Sequence, residues 1–156
     1  MTLSLDKTSL LARIDGAATL SEVESFLSVE GFTLDVEGAA GSTERVADWL
    51  ASGAPGARDV WLDPADHLVA GLDARLLDGR ELVIRPAPRR SVGPDLIAMI
   101  VGMGGRFATV ERAWLRVHPK GVTRPNVGAL AADRNPAVTE EETSLLELIR
   151  TTLQGA

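Results

Sequence analysis

The side chains that most often do chemistry are few in this chain and are not grouped. The two histidines, His67 and His118, are far apart, and neither has a second His or a carboxylate at metal-ligand spacing. Each reads as a surface or strand-end histidine. There is no cysteine, which removes disulfides, thiolate metal sites and a Cys nucleophile. No Gly-x-Ser-x-Gly elbow is present, and no pair of acids is spaced for general acid–base work. Glu140-Glu141-Glu142 reads as helix-end electrostatics. The residues alone therefore point to no catalytic residue and no metal ligand.

Two stretches of small residues remain. Ser52-Gly53-Ala54-Pro55-Gly56-Ala57-Arg58 cannot be regular; its Gly and Pro demand turns and allow another body to approach the backbone closely. Read from its residues alone it is a connector. Gly102-Met103-Gly104-Gly105 invites a dinucleotide reading but fails as that fingerprint. The fingerprint needs a strand before and a helix after, and its third glycine falls where Phe107 stands. Here a helix is predicted before and a strand after, so turn chemistry explains it.

The elements that would carry these loops are legible. Leu10–Ile14 reads as a strand ended by Asp15-Gly16. Thr19 and Glu22 have capping-box spacing, opening a helix with Leu20, Val23, Phe26 and Leu27 on one face and Gly31 as its stop. Phe32, Leu34 and Val36 alternate as a half-buried strand, and Gly38–Gly41 reads as a flexible loop. Ser42 or Thr43 is placed to cap a short helix with Val46, Trp49 and Leu50, closed by Gly53. Leu68–Leu77 and Arg80–Arg85 form a predicted hairpin about a two-residue Asp78-Gly79 turn, ended by Pro86 and Pro88. Pro94 and Asp95 start a helix whose residues Leu96–Val101 are apolar nearly all round, which predicts burial. Phe107–His118 reads as one long strand, with Thr109, Glu111, Ala113, Leu115 and Val117 on one side and Val110, Arg112, Trp114, Arg116 and His118 on the other. Residues 119–136 are loop-like. Thr139–Glu142 caps a terminal amphipathic helix bearing Leu145, Leu146, Ile149 and Leu153.

Composition bounds the class. The chain has 156 residues, 45% of them hydrophobic, and a formal net charge of −6. That suits one folded domain with a buried core. The acidic balance and 4% aromatic content argue against a nucleic-acid surface. No apolar run approaches the ~20 residues that span a bilayer, and Met1–Leu11 lacks the basic-then-apolar order of a secretory signal. A soluble cytoplasmic protein is the expectation.

Several segments, in order, resemble one family. Val46-Ala47-Asp48-Trp49-Leu50-Ala51-Ser52-Gly53-Ala54-Pro55-Gly56-Ala57-Arg58 resembles the "TVGGWIATxASG" segment of FAD-linked oxidases of the vanillyl-alcohol oxidase type (PCMH-type FAD-binding domain). Asp66–Val69 and the Asp78-Gly79 hairpin are similar to its "DLVLGLxxVLPDG" element. Arg85–Leu96 is similar to "RPAPRSAAGPDL" in relatives of alkylglycerone-phosphate synthase, and Val101–Pro119 to "VGSEGTFGVITEATLRVHP". Ile14–Leu34 resembles the unit that precedes these motifs. Together they cover about residues 9–119, and ordered matches are more specific than any single one.

The resemblance implies an α+β fold, a mostly antiparallel sheet flanked by helices, like the second half of that FAD-binding domain. Residues 1–119 would form it, with residues 120–156 as a loop and helix packed on the same domain. It implies FAD-contacting positions at Ser52, Ala54, Gly105, Phe107 and Val110, where small residues let backbone groups approach the cofactor. The chain departs from the family at Ala47-Asp48 for its Gly-Gly, Met103-Gly104 for its Ser-Glu, and Arg106 and Ala108 for its Thr and second Gly.

The family's pyrophosphate-cradling loop has no counterpart before Leu10, and its substrate-capping domain has none after Pro119. A charge-assisted hydrogen bond is worth roughly 1.5–3 kcal/mol. Loss of several predicts weak or absent FAD binding by the chain alone, and no turnover. Two functions follow as expectations. One is a partial FAD-binding domain of an oxidoreductase that completes its flavin site with a partner subunit. The other is a non-catalytic relative acting as a binding, regulatory or oligomerisation module. A face left uncovered would be apolar, so a partner oxidoreductase subunit or a homodimer is expected, with no nucleic acid or membrane partner.

Overall fold

The structure, a computed structural model, describes residues 3–57, 68–86 and 96–122, all within a first compact unit, Met1–Val122. The expectations for His67, Pro94, Asp95 and the terminal helix from Thr139 lie outside the described residues. The elements are β1 (Leu3–Asp6), β2 (Leu11–Asp15), α1 (Leu20–Val29), β3 (Phe32–Thr33), a 3-10 turn (Ala39–Gly41), α2 (Val46–Ala51), β4 (Val69–Leu76), β5 (Glu81–Ile84), β6 (Ala108–Arg116) and β7 (His118–Pro119).

Among the described residues the strands form a five-stranded sheet in the order β1-β2-β6-β4-β5 and a small β3-β7 pair, every pairing antiparallel. The architecture is α+β and mostly antiparallel, as the resemblance implies. The core face of the sheet carries Ala12 and Ile14 of β2, Leu72 and Ala74 of β4, and Ala113 and Leu115 of β6. These join Leu20, Val23 and Leu27 of α1 and Val46, Trp49 and Leu50 of α2 in one buried cluster. Burying side chains of this size contributes about 1.5–3 kcal/mol each, which drives the helices onto the sheet. On the opposite face Arg13 stacks over Trp114 at 5.5 Å from the ring centre, and Arg112 pairs with Asp73 at 3.3 Å. No described helix is long and apolar enough to cross a membrane.

The start of α1 follows its residues. Thr19 Oγ1 accepts from the Glu22 amide at 3.3 Å, and Glu22 Oε2 accepts from the Thr19 amide at 2.8 Å.

The structure corrects five local expectations. A strand, β1, precedes the first predicted one; Leu3 and Leu5 pack against the core, and the Asp6 carboxylate accepts from the Thr8 and Ser9 amides to turn the chain. The strand at Phe32 stops after Thr33, because the Leu34 amide donates to buried Glu24 at 2.8 Å and Asp35 takes φ 56. The β4–β5 loop has three residues, Leu77-Asp78-Gly79: Leu76 donates to Arg80 O and Gly79 to Leu76 O, with Gly79 at φ 86. That is a one-turn loop closed by a left-handed glycine, which suits the strand twist as a two-residue loop does.

Leu96–Val101 is not a regular helix but a series of tight turns, in which Ile100 and Val101 both donate to Ile97 O. Six residues before Gly102 are too few to nucleate a free helix, and only Ile97 and Ile100 are buried, while Met99 is half exposed. Last, β6 does not alternate throughout. Asp73 pairs with Arg112 but Ala74 with Val110, so Glu111 is a bulge. The core side therefore switches from Ala108 and Val110 to Ala113, Leu115 and Val117.

Candidate functional site

The site is built around α2, a helix of six residues that is too short to persist unaided. Trp49, Val46 and Leu50 pin one face in the core. Its N-terminal residue, Arg45, makes no side-chain cap, and Ser42 instead accepts from the Glu44 amide. The expected Ser42 or Thr43 cap is replaced by main chain. The amides of Val46 and Ala47 donate to the carbonyls of Ala18 at 2.8 Å and Gly16 at 2.9 Å. Gly16 also donates to Glu111 O at the bulge of β6, at 2.8 Å.

At the other end Gly53 closes the helix as predicted. Gly53 N donates to Leu50 O and Ala54 N to Trp49 O, the paired bonds of a glycine-terminated helix. Trp49 Nε1 donates to Pro55 O at 3.0 Å and holds the loop over the helix. The glycine-rich turn then arrives from fifty residues downstream: Gly102 N donates to Leu50 O at 2.9 Å and Gly104 N to Ala51 O at 2.8 Å. Every one of the last four carbonyls of α2, Asp48 to Ala51, thereby has a donor.

The fold thus brings together two of the stretches singled out in the sequence, the Ser52–Gly56 loop and the Gly102–Gly105 turn. Ser52 is exposed, and its hydroxyl donates to Trp49 O at 2.8 Å. Ala54 is 8% exposed, and its φ of 55 is a strained value for a residue with a Cβ. Gly105 lies on the turn; a Cβ there would meet nothing within 4 Å, and its amide has no acceptor among the described residues. Phe107 follows at 44% exposure. Val110, in contrast, is 5% exposed and belongs to the core opposite Ala74. Ser52, Gly105 and Phe107 are accessible, Ala54 is buried in the loop itself, and Val110 lies in the core of the sheet, with its carbonyl toward Gly16 at the other end of α2.

Asp48, a departure from the family pattern, is paired with Arg45 at 2.7 Å. That bond holds the Arg45 guanidinium above its usual pKa. Arg106, the other new charge, is exposed beside Gly105. A separate open cleft of about 290 Å³ is lined by Leu20, Val36, Glu37, Trp49, Pro55 and Gly56, and none of Gly102–Phe107 lines it. No group of three or more His, Asp or Glu able to hold a metal occurs among the described residues.

The sequence does not reveal the contacts that hold α2 in place: the Gly16 carbonyl at its start, and at its end the bonds of the Gly102 and Gly104 amides to Leu50 O and Ala51 O. They act through main-chain atoms, which side-chain periodicity does not register. The one available signal was the short span between the predicted cap and Gly53, too few residues for a self-supporting helix.

No family model matches the sequence, and no curated protein matches it. Solved structures do resemble the fold, which is the α+β fold of an FAD-binding oxidase domain. The particular neighbours are two crystal forms of alkyldihydroxyacetonephosphate synthase. One has a TM-score of 0.62 over 79% of this chain at 19% identity, the other 0.59 over 76% at 19% identity. Glycerone is dihydroxyacetone, so this is the enzyme whose relatives the Arg85–Leu96 motif resembles. This chain spans 22% and 21% of those two chains, about a fifth of their length. At this identity the likeness is one of fold.

Proposed function

We propose that this chain supplies one wall of an FAD site in an FAD-linked oxidoreductase, the site being completed by groups from a partner subunit. The observation that carries the reading is the bonding of Gly104 N to Ala51 O, which joins at one rim the two loops that the sequence resemblance assigns to FAD. The accessible residues suit such a ligand. Gly105 offers an amide with no acceptor among the described residues and no Cβ to obstruct approach, Phe107 offers an apolar ring, and the Ser52 hydroxyl is at the surface. Ala54, buried within the loop, serves the site as support. Bound FAD would supply the redox-active ring; the residues of this chain bind and orient it.

The amides of Ser52, Gly53 and Ala54 cannot serve as further donors, since each is spent on a carbonyl of α2. Among the described residues the rim offers only the amides of Gly105 and Phe107 without an acceptor and no cluster of cations, which predicts weak affinity for a dinucleotide diphosphate. This same self-satisfaction favours a second reading, a non-catalytic binding or oligomerisation module that keeps the fold.

The test is an amide-resolved NMR titration of the full chain with FAD. The first reading predicts saturable shifts at Ser52, Gly105 and Phe107 with a dissociation constant near the millimolar range, about −4 kcal/mol. Shifts elsewhere, or none at that concentration, favour the second reading.

A further inference from the structure

We infer that the Gly102–Gly105 turn is a helix cap supplied in trans to α2, and that the two loops of the rim open and close as one unit. Two loops far apart in sequence usually fluctuate separately, because exposed segments with few apolar contacts open independently of the core. Here the usual independence is removed by shared acceptors. Leu50 O receives both Gly53 N, at 3.1 Å, and Gly102 N, at 2.9 Å, so one carbonyl closes its own helix and holds the distant turn. Among the described residues, Ala51 O is held by Gly104 N alone. The backbones touch as well: a Cβ built on Gly53 would lie 3.6 Å from the Gly102 Cα, and one built on Gly102 3.5 Å from the Gly53 Cα.

Release of the turn would strand Ala51 O and loosen the acceptor that orders Gly53. Unwinding of the last turn of α2 would remove both acceptors of Gly102 and Gly104. Either motion therefore costs the bonds of both loops. Trp49 governs the unit from below, since its ring is buried and its Nε1 fixes Pro55 O. Trp49, Gly53 and Gly102 are positioning residues: they act on the rim through α2. A ligand held at Gly105 would order the Ser52–Ala54 loop without touching it, and the reverse; that consequence for FAD rests on the proposed function.

The coupling itself is tested without flavin, by amide hydrogen exchange of the full chain. In the native protein the amides of Gly53, Ala54, Gly102 and Gly104 should share similar protection. Trp49→Phe removes the bond to Pro55 while keeping an aromatic ring in the core. It should speed exchange at all four amides together, roughly fivefold or more, the factor that loss of one hydrogen bond brings. The ladder amides of β4 and β6 should be unchanged, which separates the effect from global destabilisation. Should Trp49→Phe fail to fold, Gly53→Ala, which places a Cβ at φ 95, is expected to raise exchange at Gly102 and Gly104. Faster exchange at Gly53 and Ala54 alone, or unprotected Gly102 and Gly104 in the native chain, overturns the inference. Neither result bears on whether FAD binds.

Discussion

The two ends of α2 are held by the same means and differ in what lies beyond them. At the N-terminal end, Gly16 and Ala18 give carbonyls to Val46 and Ala47, and the space is full: a Cβ on Gly16 would lie 2.4 Å from Val110 O and 3.2 Å from Glu111 O. At the C-terminal end, Gly102 and Gly104 give amides to Leu50 and Ala51, and a Cβ on Gly104 or Gly105 would meet nothing within 4 Å. One end is closed against the bulge of the sheet. The other is braced from below and open above. A six-residue helix is ordered by what flanks it, so the packed end supplies the rigidity and the other end leaves open space beside Gly104 and Gly105.

The largest effect expected is at the residue common to both ends. Trp49→Ala empties a fully buried site and removes the bond to Pro55, so it should cost about 3–5 kcal/mol in denaturant unfolding. A loss under 1 kcal/mol would mean that α2 is not organised by this side chain.

The glycines sharpen the contrast. Gly16→Ala drives a methyl into the Val110 carbonyl and should cost roughly 1–3 kcal/mol. Gly105→Ala has space but sits at φ 73, so only left-handed strain of about 1 kcal/mol opposes it. Equal losses in the two variants would contradict the distinction between a closed and an open end.

Next in size is Glu24, a buried carboxylate that accepts from Leu34 N and Thr33 Oγ1 and ends β3. Glu24→Ala strands the Leu34 amide and should cost about 1–3 kcal/mol, and Glu24→Gln, which keeps an acceptor, clearly less.

The smallest effect is electrostatic. The carboxyls of Asp6, Glu22 and Asp78 are held below their usual range. The causes are the Ser9 hydroxyl with the Ser9 and Thr8 amides for Asp6, the Thr19 amide and hydroxyl for Glu22, and the Arg80 amide and side chain for Asp78. A depressed native pKa contributes stability that is complete above the unfolded values, 3.8 for Asp and 4.5 for Glu. It is lost as pH falls through the lower native ones. Thermal melts taken through that acid range should show a falling Tm, with a shallower fall in Glu22→Gln. All three groups are exposed, so high salt should flatten the profile further.

Much of the framework was legible because side chains encode it. Thr19 and Glu22 declare the start of α1, and the apolar run around Leu72 before Asp78-Gly79 and the alternation around Leu115 declare the central strands. The Gly53 stop and the buried Val46, Trp49 and Leu50 of α2 are likewise visible in the sequence. What escaped was carried by main-chain atoms or by a change of period. The Glu111 bulge inverts the faces of β6, so a strict period of two places Val110 on the wrong side. The turns at Leu96–Val101 resemble a helix in composition, yet their end is drawn to α2 by the Gly102 and Gly104 amides. The candidate site divides in the same way. Ordered motifs pointed to both loops, but nothing in residue type shows that the Ser52–Ala54 amides are already spent while that of Gly105 has no acceptor among the described residues.

The most direct test is a fluorescence and visible-absorbance titration of the purified full chain with FAD. A rim with so few unpaired amides among the described residues predicts a chain that purifies without stoichiometric flavin and binds added FAD far more weakly than micromolar. A yellow protein holding one FAD per chain at nanomolar affinity, with no other polypeptide present, would contradict the account.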